Sequence, residues 1–562
     1  MVSRHRFASA ALGAVLCALA LPQARADGLL PSIRARAPKV EASPEAGVRF
    51  DAGPRTGNVR IGEIRIVTRS LFDAAAQDEN TALARLANRL HVATRPATIE
   101  DQLLFRSGDP YQPELLAESA RILRDTRYLR DAAVRPVAFH DGLVDVEVTT
   151  QDVWTFTPGI SFGHSGGTSS TGFEVEDLNL FGTGTELGVG FKSNVDRDSK
   201  FIHYHDRQLG SSWWDLLASF ADNSDGRRGE LGLEHPFYAL DARWAGGMSL
   251  LDDRRLDSRY RLGEVIDRFA THEKRATIYF GGSTGLVDGW VRRLSAGLTV
   301  DEHSFEPLPG AKGTQLLPAD RRFFYPWLGA EWVQDGFRTA RNRDQIEKTE
   351  DYSLGWRASA RLGFASSQFG SDRTAAMLSA RLSKGMQLDE RQTLQFALDA
   401  DGRLEQGSLR AGLLEVETRY HFRQSPRRLF FLDFSADAGT DLDADQQVLL
   451  GGDSGLRGYP LRYQSGKGRW LFTAEQRFFT DWYPLQLFNV GAAVFYDMGA
   501  TWGRDPLGSR SRGLLRDVGF GLRLGNSRSA LGNVLHLDVA FPLDRDPSIE
   551  GMQFLVQTRK SF

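Results

Sequence analysis

Two periodicities divide the chain. Between residues 59 and 150 the apolar positions follow mixed spacings. Ile61, Ile64, Ile66 and Val67 suggest a strand. Leu83, Leu86, Ala87 and Leu90 fall on one helical face, Ile99, Leu103 and Leu104 make a shorter helical piece, and Leu115, Leu116, Ser119, Ile122 and Leu123 line a third. The short piece stops at Ser107-Gly108-Asp109-Pro110, and two alternating runs, Ala133–Ala138 and Leu143–Thr149, turn at His140-Asp141-Gly142. This order predicts a small α+β domain over 59–150, a three-stranded sheet with helices on one face and an open edge near Ala133–Ala138. Such an edge accepts an extended chain as an added strand.

From about Val153 helical spacing disappears. Segments of about ten residues alternate apolar with polar or small side chains, separated by charged, glycine-rich loops; examples are Thr185–Val195, Trp290–Glu302, Phe323–Val333, Tyr352–Phe364, Leu409–Phe422, Trp470–Phe479 and Asn489–Gly499. Several begin or end on Trp, Tyr or Phe. In a bilayer every backbone polar group must be paired within the protein. A chain without long apolar helices therefore spans only as a closed sheet, one strand face on lipid and the other on a polar lumen. The alternation predicts a transmembrane antiparallel β-barrel over 151–562. It also assigns faces. Thr473, Glu475 and Arg477 oppose Trp470, Phe472 and Ala474; Ala493, Phe495 and Asp497 oppose Ala492, Val494 and Tyr496; His536 and Asp538 oppose Leu537 and Val539. About fifteen such segments precede the loop that begins near Leu449, and five follow it.

The N-terminus reads as an export signal. Arg4, His5 and Arg6 precede the apolar run Phe7–Leu21, and Ala24-Arg25-Ala26 fits a small-x-small cleavage site. Residues 1–26 are the expected signal peptide, Asp27 the first mature residue, and 27–58, rich in Pro, Ala, Arg and Gly, a flexible linker. Cleavage removes Cys17, the single cysteine of the 562 residues, so the exported chain has no disulfide and relies on a large core or a closed sheet. With 41% hydrophobic and 10% aromatic residues the chain is no disordered polymer, and a net charge of −3 offers no footprint for nucleic acid.

Most chemistry-like motifs dissolve on inspection. Gly163-His164-Ser165-Gly166-Gly167 matches a hydrolase nucleophile elbow, which needs a following helix; Thr168-Ser169-Ser170-Thr171-Gly172 is none, so a hairpin turn is expected. Gly452-Asp453-Ser454-Gly455 lacks an assignable His/Asp pair. His203 and His205 share a strand face without a third ligand at a suggestive spacing. No catalytic residue, cofactor or metal is therefore expected.

The informative stretch is Leu449–Pro460, with Leu456-Arg457-Gly458-Tyr459 at its centre. Asp177-Leu178-Asn179-Leu180-Phe181-Gly182-Thr183-Gly184, Phe495-Tyr496-Asp497-Met498-Gly499, Asp517–Arg523 with His536–Ala540, and Arg106-Ser107-Gly108-Asp109-Pro110-Tyr111 accompany it in order. Together they resemble the BamA/TamA outer-membrane assembly superfamily, the bacterial surface antigen family, as a member with a single POTRA domain over 59–150. The resemblance implies that Arg457 sits at the tip of a long loop folded back into the barrel and pairs with acidic residues on the next two strands. Glu475 and Asp497 lie on the lumen faces of those strands by alternation alone. A guanidinium away from water demands such partners and can fork between two acceptors. The resemblance also implies sixteen strands, fewer than the segment count, so sixteen is the first expectation and twenty the alternative. The implied function is insertion or translocation of extended client polypeptides at a Gram-negative outer membrane, with accessory lipoproteins admitted as partners. The seam would lie between the first and last strands, near Val153–Phe162 and Met552–Phe562. The alternative is an outer-membrane pore or receptor for small solutes.

Overall fold

The computed structural model describes residues 59–72, 82–308, 317–484, 487–505, 507–508, 511–526, 528–529, 534–544, 547 and 549–559. The expected signal peptide and linker, the Asp27 cut and Phe562 lie outside the described residues, as do the side chains of Leu83 and Leu86.

The mixed-period stretch forms a small α+β unit: β1 (Arg60–Arg69), α1 (Ala82–Leu90), α2 (Pro96–Glu100), α3 (Pro113–Asp125), β2 (Leu129–His140) and β3 (Leu143–Asp152). β3 lies in the middle, parallel to β1 and antiparallel to β2. Proline opens both α2 and α3, where its missing N–H costs nothing. Every second residue of β3 points inward, and Val144, Val146 and Val148 meet Ile99, Leu116 and Leu123 in one core. β2 is an edge strand: it pairs with β3 along one side, and its outer side has no strand partner among the described residues.

The rest of the described chain closes a barrel of 20 antiparallel strands, from Phe156–Ser165 to Gln553–Arg559. Sixteen strands is thus corrected: fifteen precede the loop and five follow, so the alternating segments themselves counted correctly and the family analogy undercounted. One alternating segment divides in the structure. Tyr352–Phe364 is not a single strand; Trp356–Ala365 belongs to the barrel, while Thr349–Ser353 pairs with Phe337–Arg341 in a separate hairpin. Both pieces alternate, and alternation alone cannot say which neighbour a strand will pair with.

Outward faces are apolar. Ile278 and Phe280, Leu362 and Phe364, Phe520 and Leu522 all stand exposed, and Leu294 and Leu328 are 68% and 69% open. A belt this large would be unstable in water and belongs against lipid. No helix of the described residues is long and apolar enough to cross a membrane. Lumen faces carry the charge, as with Arg293 and Glu331 on neighbouring strands, 2.9 Å apart. The α+β unit sits on one end of the barrel, called proximal here. Its Thr98 hydroxyl and Arg95 N–H donate to Gly182 O (2.9 and 3.0 Å), and Asn179 Nδ2 donates to Thr94 Oγ1 (2.8 Å), so the Asp177–Gly184 motif is a proximal turn that holds the unit.

Candidate functional site

Residues 441–467 join the fifteenth barrel strand, Arg428–Thr440, to the sixteenth, Gly468–Phe479, at the distal end. They fold inward, and a short ladder, Val448–Leu450 against Gln464–Gly466, stiffens the stem. Arginines from several strands fix the loop. Arg403 forks onto Asp443 with two 2.9 Å bonds, Arg321 forks onto Asp445 (3.0 and 2.8 Å), and Arg259 donates to Ala444 O (3.0 and 2.7 Å). Arg462 of the loop reaches across to Asp196 with two 2.7 Å bonds. Paired forks of this kind hold orientation as well as distance. Sequence reading did not find these arginines; their partners lie up to 266 residues away, and no local pattern joins them.

The structure brings the loop motif and the two acidic residues together. Arg457 Nε donates to Asp497 Oδ2 (2.7 Å), Nη2 to Asp497 Oδ1 (2.9 Å) and Nη1 to Glu475 Oε2 (3.3 Å). Its guanidinium also lies over the Phe495 ring, 3.3 Å from the centroid. Thr473 Oγ1 donates to Asp497 Oδ1 (2.8 Å), Arg477 Nε to Glu475 Oε1 (3.2 Å), and Asp538 lies 3.9 Å from Arg457. All these charged groups are buried, so each guanidinium compensates carboxylates that water does not reach.

The neighbours of Arg457 fix its depth. Leu456 and Tyr459 are fully buried with Leu450, Tyr463, Leu471 and Leu515. Tyr459 Oη donates to Arg516 O (2.8 Å), and Gly458 N–H donates to Asp517 Oδ2 (3.0 Å). A Cβ on Gly458 would fall 2.7 Å from Asp517 Cβ, so only glycine allows this approach.

The other singled-out residues fall elsewhere. Ser165 lies on a turn whose Gly166 and Gly167 both have positive φ, followed by the strand Thr168–Asp177 rather than a helix. Ser454 exchanges hydrogen bonds with the backbone of Gly451. His203 Nε2 meets Glu176 Oε1 at 3.1 Å and His205 Nε2 meets Asp215 Oδ1 at 2.9 Å. Glu174, Glu176 and His203 gather possible ligand atoms within 4.8 Å, a triad invisible to sequence spacing, but Arg127 already pairs with Glu176 (3.5 Å).

Val153 is not on the seam. It precedes the first barrel strand, is buried against Leu178, and donates to Tyr128 O at 3.2 Å. The seam joins Phe156–Ser165 to Gln553–Arg559, and among the described residues it is paired at one position, Val556 with His164. The first strand pairs its other neighbour at ten positions, and the last strand pairs its other neighbour at seven.

No family model matches the chain, and no curated protein does either. Solved structures do. The neighbours include BamA from Haemophilus ducreyi lacking POTRA domains 1–3 (14% identity, 90% of this chain and 85% of that one, TM-score 0.36) and CdiB from Escherichia coli (12% identity, 89% and 76%, TM-score 0.45). The FrpB iron transporter from Neisseria meningitidis is also similar (8% identity, 89% and 92%, TM-score 0.37).

Proposed function

We propose that the protein is an outer-membrane factor of a Gram-negative bacterium that inserts or passes extended polypeptide clients, with its single α+β domain acting as a POTRA-like unit in the periplasm. The observation that carries this reading is the seam, which among the described residues has one paired position where the flanking interfaces have ten and seven. Opening a fully paired interface inside lipid would strand several N–H and C=O groups at a cost of kilocalories each. Here little is lost, and a client strand would replace what is. The open outer edge of β2 supplies a second strand-addition site, where Pro136 and the neighbouring bulge interrupt the edge and deter self-pairing. In this reading Arg457, Glu475 and Asp497 do no chemistry. They hold the inward loop at a fixed depth against the sixteenth and seventeenth strands, a few strands from the seam, and so keep that part of the wall rigid while the seam exchanges.

A steady solute pore fits less well, because the inward loop crosses the distal lumen and is tied to strands around its circumference. The test is a disulfide across the seam. His164 and Val556 are directly paired, a geometry that accepts a cross-link. Oxidised H164C/V556C, with Cys17 replaced by Ser, is expected to fold but to lose client insertion or export, and reductant is expected to restore it. Full activity in the oxidised form would refute the seam mechanism.

A further inference from the structure

Turns at the proximal end of most barrels are short. One here is not. Residues 335–355, between the barrel strands Arg321–Gln334 and Trp356–Ala365, form the hairpin Phe337–Arg341/Thr349–Ser353, and its tip enters the lumen. Arg343 donates to Thr393 Oγ1 (3.2 Å), to Gln395 Oε1 and to His421 Nδ1 (3.2 Å) on two other strands. Arg423 donates to Arg341 O (2.8 Å). Ile346 is buried against Leu429, Phe479, Ala493 and Val534, so the tip reaches wall strands far around the barrel from its own stems.

The same hairpin is held from outside. Arg124 of α3 forks onto Asp351 with two 2.7 Å bonds, Thr349 Oγ1 donates to Asp131 Oδ2 (2.8 Å), and Arg121 lies 3.7 Å over the Phe337 ring. At the tip, Arg477 donates to Arg343 O (2.8 Å), lies 3.6 Å from Asp344, and pairs through Glu475 with Arg457. One succession of contacts therefore runs from α3, through the hairpin, to the arginine of the inward loop.

We propose that the 335–355 hairpin is a plug that closes the proximal lumen and ties the N-terminal domain to the inward loop, so that displacing the domain draws the plug out and releases Arg477 from it. This rests on the membrane-embedded barrel of the reading above but not on what the barrel transports. A Cβ built on Gly525 lies 3.1 Å from Ile346 Cβ, close to the separation of about 3.8 Å in a disulfide. In a Cys17→Ser background, I346C/G525C is expected to cross-link fully in the folded, heat-modifiable protein. Arg124→Glu is expected to lower the yield at least fivefold, and adding Asp351→Arg to restore it. No cross-link in a folded parent would overturn the placement of the plug, and an unchanged yield in Arg124→Glu would overturn its coupling to the domain. A separate Thr393→Cys variant, probed with a bulky maleimide, is expected to react at least tenfold faster once residues 338–352 are replaced by a short Gly-Ser turn; equal rates would overturn the closure. Neither readout depends on client insertion, so failure of the seam disulfide and failure of the plug are separately visible.

Discussion

Arg457 has exchanged water for two carboxylates and an aromatic face. Removing one side of a buried ion pair costs about 3–5 kcal/mol, because the other side stays buried and uncompensated. Arg457→Ala is therefore expected to lower barrel stability by about that amount in denaturant titrations. Adding Asp497→Ala should cost clearly less than the sum of the single changes, since both act on one interaction. Arg457→Lys keeps the charge but cannot fork onto Asp497, and should fall between wild type and alanine. At this scale sequence reading reached far but stopped early. Alternation placed Glu475, Asp497 and Arg477 on lumen faces, and the loop motif singled out Arg457. Nothing in spacing revealed that Arg477 and Asp538 would converge on the same cluster, because convergence depends on the depth of each strand in a closed cylinder.

Among the elements, the hairpin has its own titration. Burial pushes the Glu350 carboxyl up to about 7 from 4.5, and the Asp344 carboxylate adds to the push, against three backbone N–H bonds from Gln345, Arg343 and Asp344. Lys348, Arg343 and Arg423 are the cations that face this group. A raised pKa means that the docked hairpin binds the proton more tightly than a withdrawn one. Its contribution is complete below about 4.5 and is lost as pH rises through about 7. The melting temperature is thus expected to fall between pH 6 and pH 8, and Glu350→Gln should flatten that dependence. The hairpin was legible in sequence only as alternation. Its strands look like barrel strands, and the difference lies in which partner they pair with.

For the whole molecule, two inserts occupy the lumen from opposite ends. Planar-bilayer recordings should show low, intermittent conductance for the intact protein, and a large steady conductance only when the hairpin tip and residues 450–463 are both shortened. Barrel class, the five strands after the loop and the order of the N-terminal elements were all readable from periodicity. The resemblance implies sixteen strands, whereas the count of alternating segments matches the 20 that close. The weak seam was not readable, since hydrogen-bond register between chain ends leaves no trace in either end alone.

The stems of the hairpin, Arg321–Gln334 and Trp356–Ala365, are immediate neighbours and pair directly over Trp327–Val333. The segment between them is therefore an accessory that the cylinder does not need for its own closure. Evolution, or a designer, can lengthen, delete or exchange it without shifting a single rung, which makes this the natural place to graft a sensor for a chosen signal.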